Sequence, residues 1–111
     1  MLYLVQGELV ETEYVLPPQQ FAEYVENRVV PYWEAMTKLE AEGKVRAGGV
    51  PAGSRSAAFI VDAASNDEVT EILVSLPIWA WCKWQVTPLE SFQHRLNQSR
   101  QVLTQARGTL Q

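Results

Sequence analysis

The order of patterned segments predicts an α+β domain with the element order βαββαβ and a C-terminal helix. Runs of strand-forming residues occur near the N-terminus and over 44–50, 56–62 and 78–86. Two intervening stretches carry apolar residues at helical spacing, and Pro and Gly punctuate the joints.

The first strand is read from Leu2 through Val10, where Leu2 and Leu4 alternate with Tyr3 and Val5. Pro17 and Pro18 open a helix, since proline is tolerated where no N–H is required. From Gln19 to Glu42, Phe21, Val25, Val29, Tyr32, Met36 and Leu39 recur at helical spacing. Pro31 is expected to kink or divide this helix, and Gly43 to stop it. Lys44–Val50 and Ser56–Asp62 read as a hairpin joined through GGVPAGS. The next helix starts at Ser65 with Glu68 three residues on, a capping box, and its stripe is Val69, Ile72, Leu73 and Leu76. Pro77 ends it. IWAWCKWQV then reads as the last strand, with Trp79, Trp81, Lys83 and Gln85 on one face and Ala80, Cys82, Trp84 and Val86 on the other.

Beyond Pro88 the residues Leu89, Phe92, Leu96, Ser99, Leu103, Ala106 and Leu110 alternate spacings of three and four. This predicts a helix docked on its own domain or on a partner subunit. Residues 1–89 are thus one domain, and residues 90–111 a helical extension of it. The order is the split βαβ pattern of ferredoxin-like domains. Both helices cover one face of the sheet, and a second copy is the simplest cover for the other.

A length of 111 residues suits a single core, and 47% hydrophobic with 20% charged residues is ordinary for a globular chain. The net charge of −4 without a basic cluster argues against nucleic acid as a partner. One Cys and one His exclude an internal disulfide and the usual zinc site. No apolar run approaches a membrane span, and Glu8, Glu11 and Glu13 interrupt any leader pattern. A cytoplasmic chain that binds no membrane is expected.

From Tyr32 to Leu89 the chain resembles the muconolactone Δ-isomerase family. The features are Glu42-Gly43-Lys44, the strand AAFIVD ending in Asp62, Ser65-Asn66-Asp67-Glu68, Leu76-Pro77 and Val86-Thr87-Pro88-Leu89. The resemblance implies a dimeric α/β barrel, able to assemble into larger rings. It also implies cofactor-free acid/base isomerisation of a small lactone or related carbonyl compound. Such chemistry needs a group that takes a proton beside a carbonyl and another that returns it or steadies the enolate. The family's first-helix glutamate aligns near Tyr32, beside Trp33 and Glu34. Its polar residues entering the third strand align with Arg55, Ser56, Ala57 and Ala58.

These positions define the candidates. Glu34 is the candidate base, against the plainer reading of an exposed helix carboxylate. Lys83, set among tryptophans, is a second catalytic candidate if burial lowers its pKa; otherwise its stem lies over aromatic surface with the ammonium in water. Tyr32, Trp33, Arg46, Arg55 and Trp81 are candidate ligand contacts, the arginines for a carboxylate and the rings for an apolar face. Hairpin surface charge and core packing are the ordinary alternatives. Cys82 reads as a small apolar residue, His94 as a solvated helix residue and Asp62 as a turn aid. Two functions are therefore expected: an isomerase-like enzyme on an altered substrate, or a non-catalytic module that binds a small apolar or carboxylate-bearing ligand or assembles with itself.

Overall fold

Strand β1 (Leu2–Leu9) alternates Tyr3, Val5 and Gly7 inward with Leu2, Leu4 and Gln6 outward, the period that a half-covered sheet requires. The computed structural model describes residues 1–10 and 16–110; Tyr14 and the side chain of Leu110 lie outside the described part. The chain continues through α1 (Pro18–Tyr24), α2 (Val30–Ala41), β2 (Val45–Gly49), β3 (Ser56–Asp62), α3 (Asn66–Val74), β4 (Cys82–Leu89) and α4 (Phe92–Leu110). The four strands form one antiparallel sheet in the order β2-β3-β1-β4, as the split βαβ reading requires.

Between α1 and α2 the helix widens into a π-turn over Val25–Val29. There the Val30 N–H donates to Val25 O, five residues back. The cause is adjacent: Pro31 falls in the first turn of α2, has no N–H, and would press on the carbonyl four residues earlier in a regular helix. So the proline divides the helix without breaking its course. Gly43 at φ +80° ends α2, where a side chain would be strained. Helix α3 is capped as expected: Glu68 N donates to Ser65 Oγ at 3.2 Å, and Ala64 N donates to Glu68 Oε2 at 2.6 Å.

The last strand is displaced from its expected position. Trp79–Trp81 form a 3₁₀ turn, and β4 starts only at Cys82 and runs through Pro88 to Leu89. Ile78 is completely buried and anchors the chain beside α3, so the backbone must turn before it can join the sheet. Pro88 is tolerated because β4 is an edge strand. Cys82 and Trp84 face inward and Lys83 and Gln85 outward, as expected, but Trp79 and Trp81 lie off the strand.

The core includes Tyr3, Val5, Phe59 and Val61 from the sheet, with Tyr32 from α2, Val69, Ile72 and Leu73 from α3, and Leu76 just beyond it. Among the described residues no charged group is buried. The outer sheet face, with Leu2, Leu4, Ile60 and Leu89, has no described element over it. Helix α4 does not dock on its own domain: every residue from Phe92 to Thr109 is exposed, and the chain measures 74 Å along its longest axis. No described helix is long and apolar enough to cross a membrane.

Candidate functional site

Three strand ends meet at one end of the sheet. Leu9 N donates to Arg55 O and Val10 N to Trp81 O, both at 3.0 Å, which fixes the start of β3 and the start of β4 against the end of β1. Over this end lie Tyr24 and Tyr32. They are eight residues apart, which a regular helix would turn into a separation of about 80°. The extra residue of the π-turn removes most of that angle, so both phenols come within electrostatic reach of the Cys82 thiol.

Tyr32 is 3% exposed, and its hydroxyl is buried without a hydrogen-bond partner. Its ring stacks on Trp33 at 4.5 Å and meets the Trp84 ring edge-on at 6.4 Å. Trp84 also meets Phe59 edge-on at 6.4 Å and donates from Nε1 to Trp79 O at 3.1 Å. Such a fixed indole needs a space, and Gly7 supplies it: a Cβ there would lie 2.3 Å from Trp84 Cζ3. Tyr24 packs edge-on against Trp81 at 5.7 Å.

Burial pushes the Tyr32 phenol well above the usual tyrosine range, and the neighbouring Cys82 adds to it. Burial also raises the Cys82 thiol to about 11. The Tyr24 phenol is raised by burial and by Cys82, while nearby Arg55 opposes the shift. At neutral pH Tyr32 and Cys82 therefore keep their protons. Protonated, they can offer a hydrogen bond but cannot serve as bases or nucleophiles. A buried hydroxyl without a partner costs about 1–3 kcal/mol, and an incoming carbonyl oxygen would satisfy it.

Of the residues expected at a site, the structure brings Tyr32, Arg55 and Trp81 to this end of the sheet. Trp33 stacks on the far side of Tyr32 and opens onto a separate groove. Glu34 lines that groove's continuation with Val30, Trp33 and Thr37, and is exposed. Lys83 lies on the outward face opposite Glu8 and turns away from Trp84. Arg46 is at the other end of the sheet, where its Nη2 donates to Asp62 Oδ2 at 2.6 Å. It holds the Asp62 carboxyl below the usual range by that hydrogen bond. His94 is exposed on α4, 3.8 Å from Glu90.

Sequence reasoning did not assign Tyr24, Cys82 and Trp84 to a site. The available signal was Pro31, thirteen residues after the helix start at Pro18, with a tyrosine on either side of it. Without the π-turn the two tyrosines do not share a face. Among the described residues no group of three or more His, Cys, Asp and Glu is placed to hold a metal ion.

Comparison with known proteins bears on this arrangement. The sequence matches the family model described as muconolactone delta-isomerase over residues 1–95. The fold is similar to a crystal structure of muconolactone isomerase, with a TM-score of 0.65 and 20% identity, covering 82% of this chain and 90% of that one. It is also similar to 5-chloro-2-hydroxyhydroquinone dehydrochlorinase (TftG) from Burkholderia phenoliruptrix AC1100, in complex with 2,5-dihydroxybenzoquinone. That TM-score is 0.57 at 19% identity, covering 85% of this chain and 98% of the other. At these identities the two structures speak for the fold alone. No curated protein matches the sequence significantly.

Proposed function

Because the chain belongs to the muconolactone delta-isomerase family, we propose that it binds a small carbonyl compound, a lactone or a related oxygenated ring, and moves a proton on it without a cofactor. The observation that carries this reading is the Tyr32 hydroxyl, buried among aromatic rings with no partner of its own. A carbonyl oxygen placed against it accepts its proton in a hydrogen bond. As a proton leaves the neighbouring carbon, negative charge gathers on that oxygen and the bond strengthens. That differential stabilisation is the form of catalysis that a preorganised donor supplies. Arg55, exposed at the rim near Tyr24, is suited to a carboxylate on the same ligand. The flat walls of Tyr24, Trp81 and Trp84 suit a planar ring, and the dihydroxyquinone bound to the dehydrochlorinase is such a molecule. We further propose that the outer sheet face, with Leu4 and Ile60 at its centre, is covered by a second copy.

A second reading follows from the acid–base inventory. Among the described residues no carboxylate or imidazole is buried with Tyr32, so the site has a clear proton donor and no buried acceptor. This favours a module that binds the same ligand without turnover.

One experiment separates the readings. Muconolactone in D2O is followed by NMR with the wild-type chain and with Tyr32→Phe. Proton transfer predicts deuterium uptake beside the carbonyl, lowered about 10²–10³-fold by the substitution. Binding without uptake, weakened in Tyr32→Phe, supports the second reading. Binding and uptake unaffected by Tyr32→Phe would remove Tyr32 from any role.

A further inference from the structure

We propose that α4 is an arm for a second copy of this chain, docking its leucine seam into the acidic groove beside α2 of that copy. Along α4, Leu96, Leu103 and Leu110 recur at intervals of seven. Leu96 and Leu103 are 44% and 49% exposed, so the seam has nothing on it. Most of α4 also lies beyond residues 1–95, where the family match ends. Most of the helix thus lies outside the part of the chain that the family model covers.

Charge decides what the seam can meet. Residues 91–111 carry three arginines and no Asp or Glu, whereas residues 1–90 carry six Lys or Arg against thirteen Asp or Glu. In the heptad frame, Arg95, Arg100 and Arg107 sit at the positions flanking the seam, which set partner choice in helix pairs. Two α4 helices side by side would oppose arginine to arginine in either orientation. The occupant must therefore be apolar in the middle and acidic at its edges.

The groove beside α2 has that character. Trp33, Met36, Val45 and Phe59 floor it, Glu40 lines it, and Val30 and Glu34 continue it along the helix. From Val30 to Glu40 the helix axis advances about 15 Å, the same as from Leu96 to Ala106 on α4. Glu34 and Glu40 are separated by about 9 Å along the axis, and Arg100 and Arg107 by about 10 Å. The charges can therefore pair while the seam covers Trp33 and Met36.

The chain cannot reach its own groove. Only Glu90 and Ser91 separate β4 from α4. Ser91 Oγ accepts from His94 N at 3.1 Å, and Glu90 pairs with Arg95, so the first turn is held in direction. Strand β4 lies at the opposite edge of the sheet from β2, beside which the groove opens. The helix points away from the body along the 74 Å axis, and the groove it meets belongs to another molecule.

The test uses the full chain and sedimentation velocity. The wild type is expected to self-associate in a salt-sensitive way. Arg100→Glu with Arg107→Glu is expected to weaken that association about tenfold or more, and Glu34→Arg with Glu40→Arg to do the same. Mixing the two variants pairs a reversed helix with a reversed groove and should restore a mixed assembly. A sheet-to-sheet dimer is indifferent to both pairs of substitutions. Unchanged association in either variant, or no restoration on mixing, would overturn the proposal. A wild type that stays monomeric but floats with vesicles containing about one-third phosphatidylserine would overturn it in favour of a membrane surface.

Discussion

Gly7→Ala tests the central packing claim, because two opposing effects can be weighed from the structure. Gly7 lies in β1 with an ordinary extended backbone, opposite Ala57 on one side and Trp84 on the other. Alanine in a strand interior is favoured over glycine by about 0.5–1 kcal/mol through the unfolded chain's lost freedom. Against this, the new Cβ would lie 2.3, 2.6 and 3.0 Å from three atoms of the Trp84 ring. The indole cannot slide away freely: Tyr32 and Phe59 hold its edges, and its Nε1 donates to Trp79 O. Overpacking of this kind costs about 1–3 kcal/mol. The clash is the larger effect, so a net loss of about 1–2 kcal/mol is expected, with Tm falling by roughly 5–10 °C. Thermal and urea unfolding followed by near-ultraviolet circular dichroism would measure it. In a Trp84→Leu background the clash disappears, and Gly7→Ala should become neutral or stabilising. If Gly7→Ala is as stable as the parent, or the loss persists without the indole, the packing account is wrong.

Three further outcomes are expected. Ser65→Ala removes the cap that accepts from Glu68 N and should cost about 1 kcal/mol in urea unfolding, while Ser65→Gly should cost only a few tenths. Stability should be level up to about pH 9 and fall as pH rises towards 11. Cys82 and Tyr32 both have folded pKa values above their unfolded ones, so the unfolded chain loses their protons first and gains on deprotonation. Denaturant titrations from pH 7 to 11 check the sign, and Cys82→Ala should flatten part of the fall. For the same reason Cys82 in the folded chain should react slowly with iodoacetamide at pH 8 and accelerate only as its thiol ionises near 11.

The architecture was legible in the sequence wherever a local rule acts alone. Ser65 and Glu68 announced the start of α3, Gly43 the end of α2, and GGVPAGS the hairpin, because each reflects backbone geometry within a few residues. The final strand was misplaced because alternation in IWAWCKWQV is equally compatible with starts at Ile78 or Cys82. The choice is made by Ile78, which is completely buried beside α3, a tertiary fact. The placement of the candidate residues was legible only in part. Tyr32, Arg55 and Trp81 were expected and do converge at one end of the sheet. Lys83 was read as lying among tryptophans, yet Trp79 and Trp81 leave the strand and Trp84 faces the other way. Tyr24 stayed unassigned because its relation to Tyr32 depends on a widened turn, which no residue-level propensity records.

That widened turn makes the candidate site sensitive to chain length in a way its surroundings are not. Insertion of one residue within Val25–Val29 would rotate everything before it by about 100° relative to α2, whereas loss of one would leave a regular helix with Tyr24 and Tyr32 still only about 20° apart. The core beneath α2 would be untouched, since no residue of α1 or of the turn is buried. Tyr24 would leave its edge contact with Trp81, and the candidate site would lose one of its two phenols while the fold stayed intact. Insertion of one alanine after Glu26 should show this directly, as an unfolding transition near the parent's with an altered tryptophan emission. In this chain, a single-residue insertion would change the surface offered to a ligand without any change of amino-acid type at the candidate site.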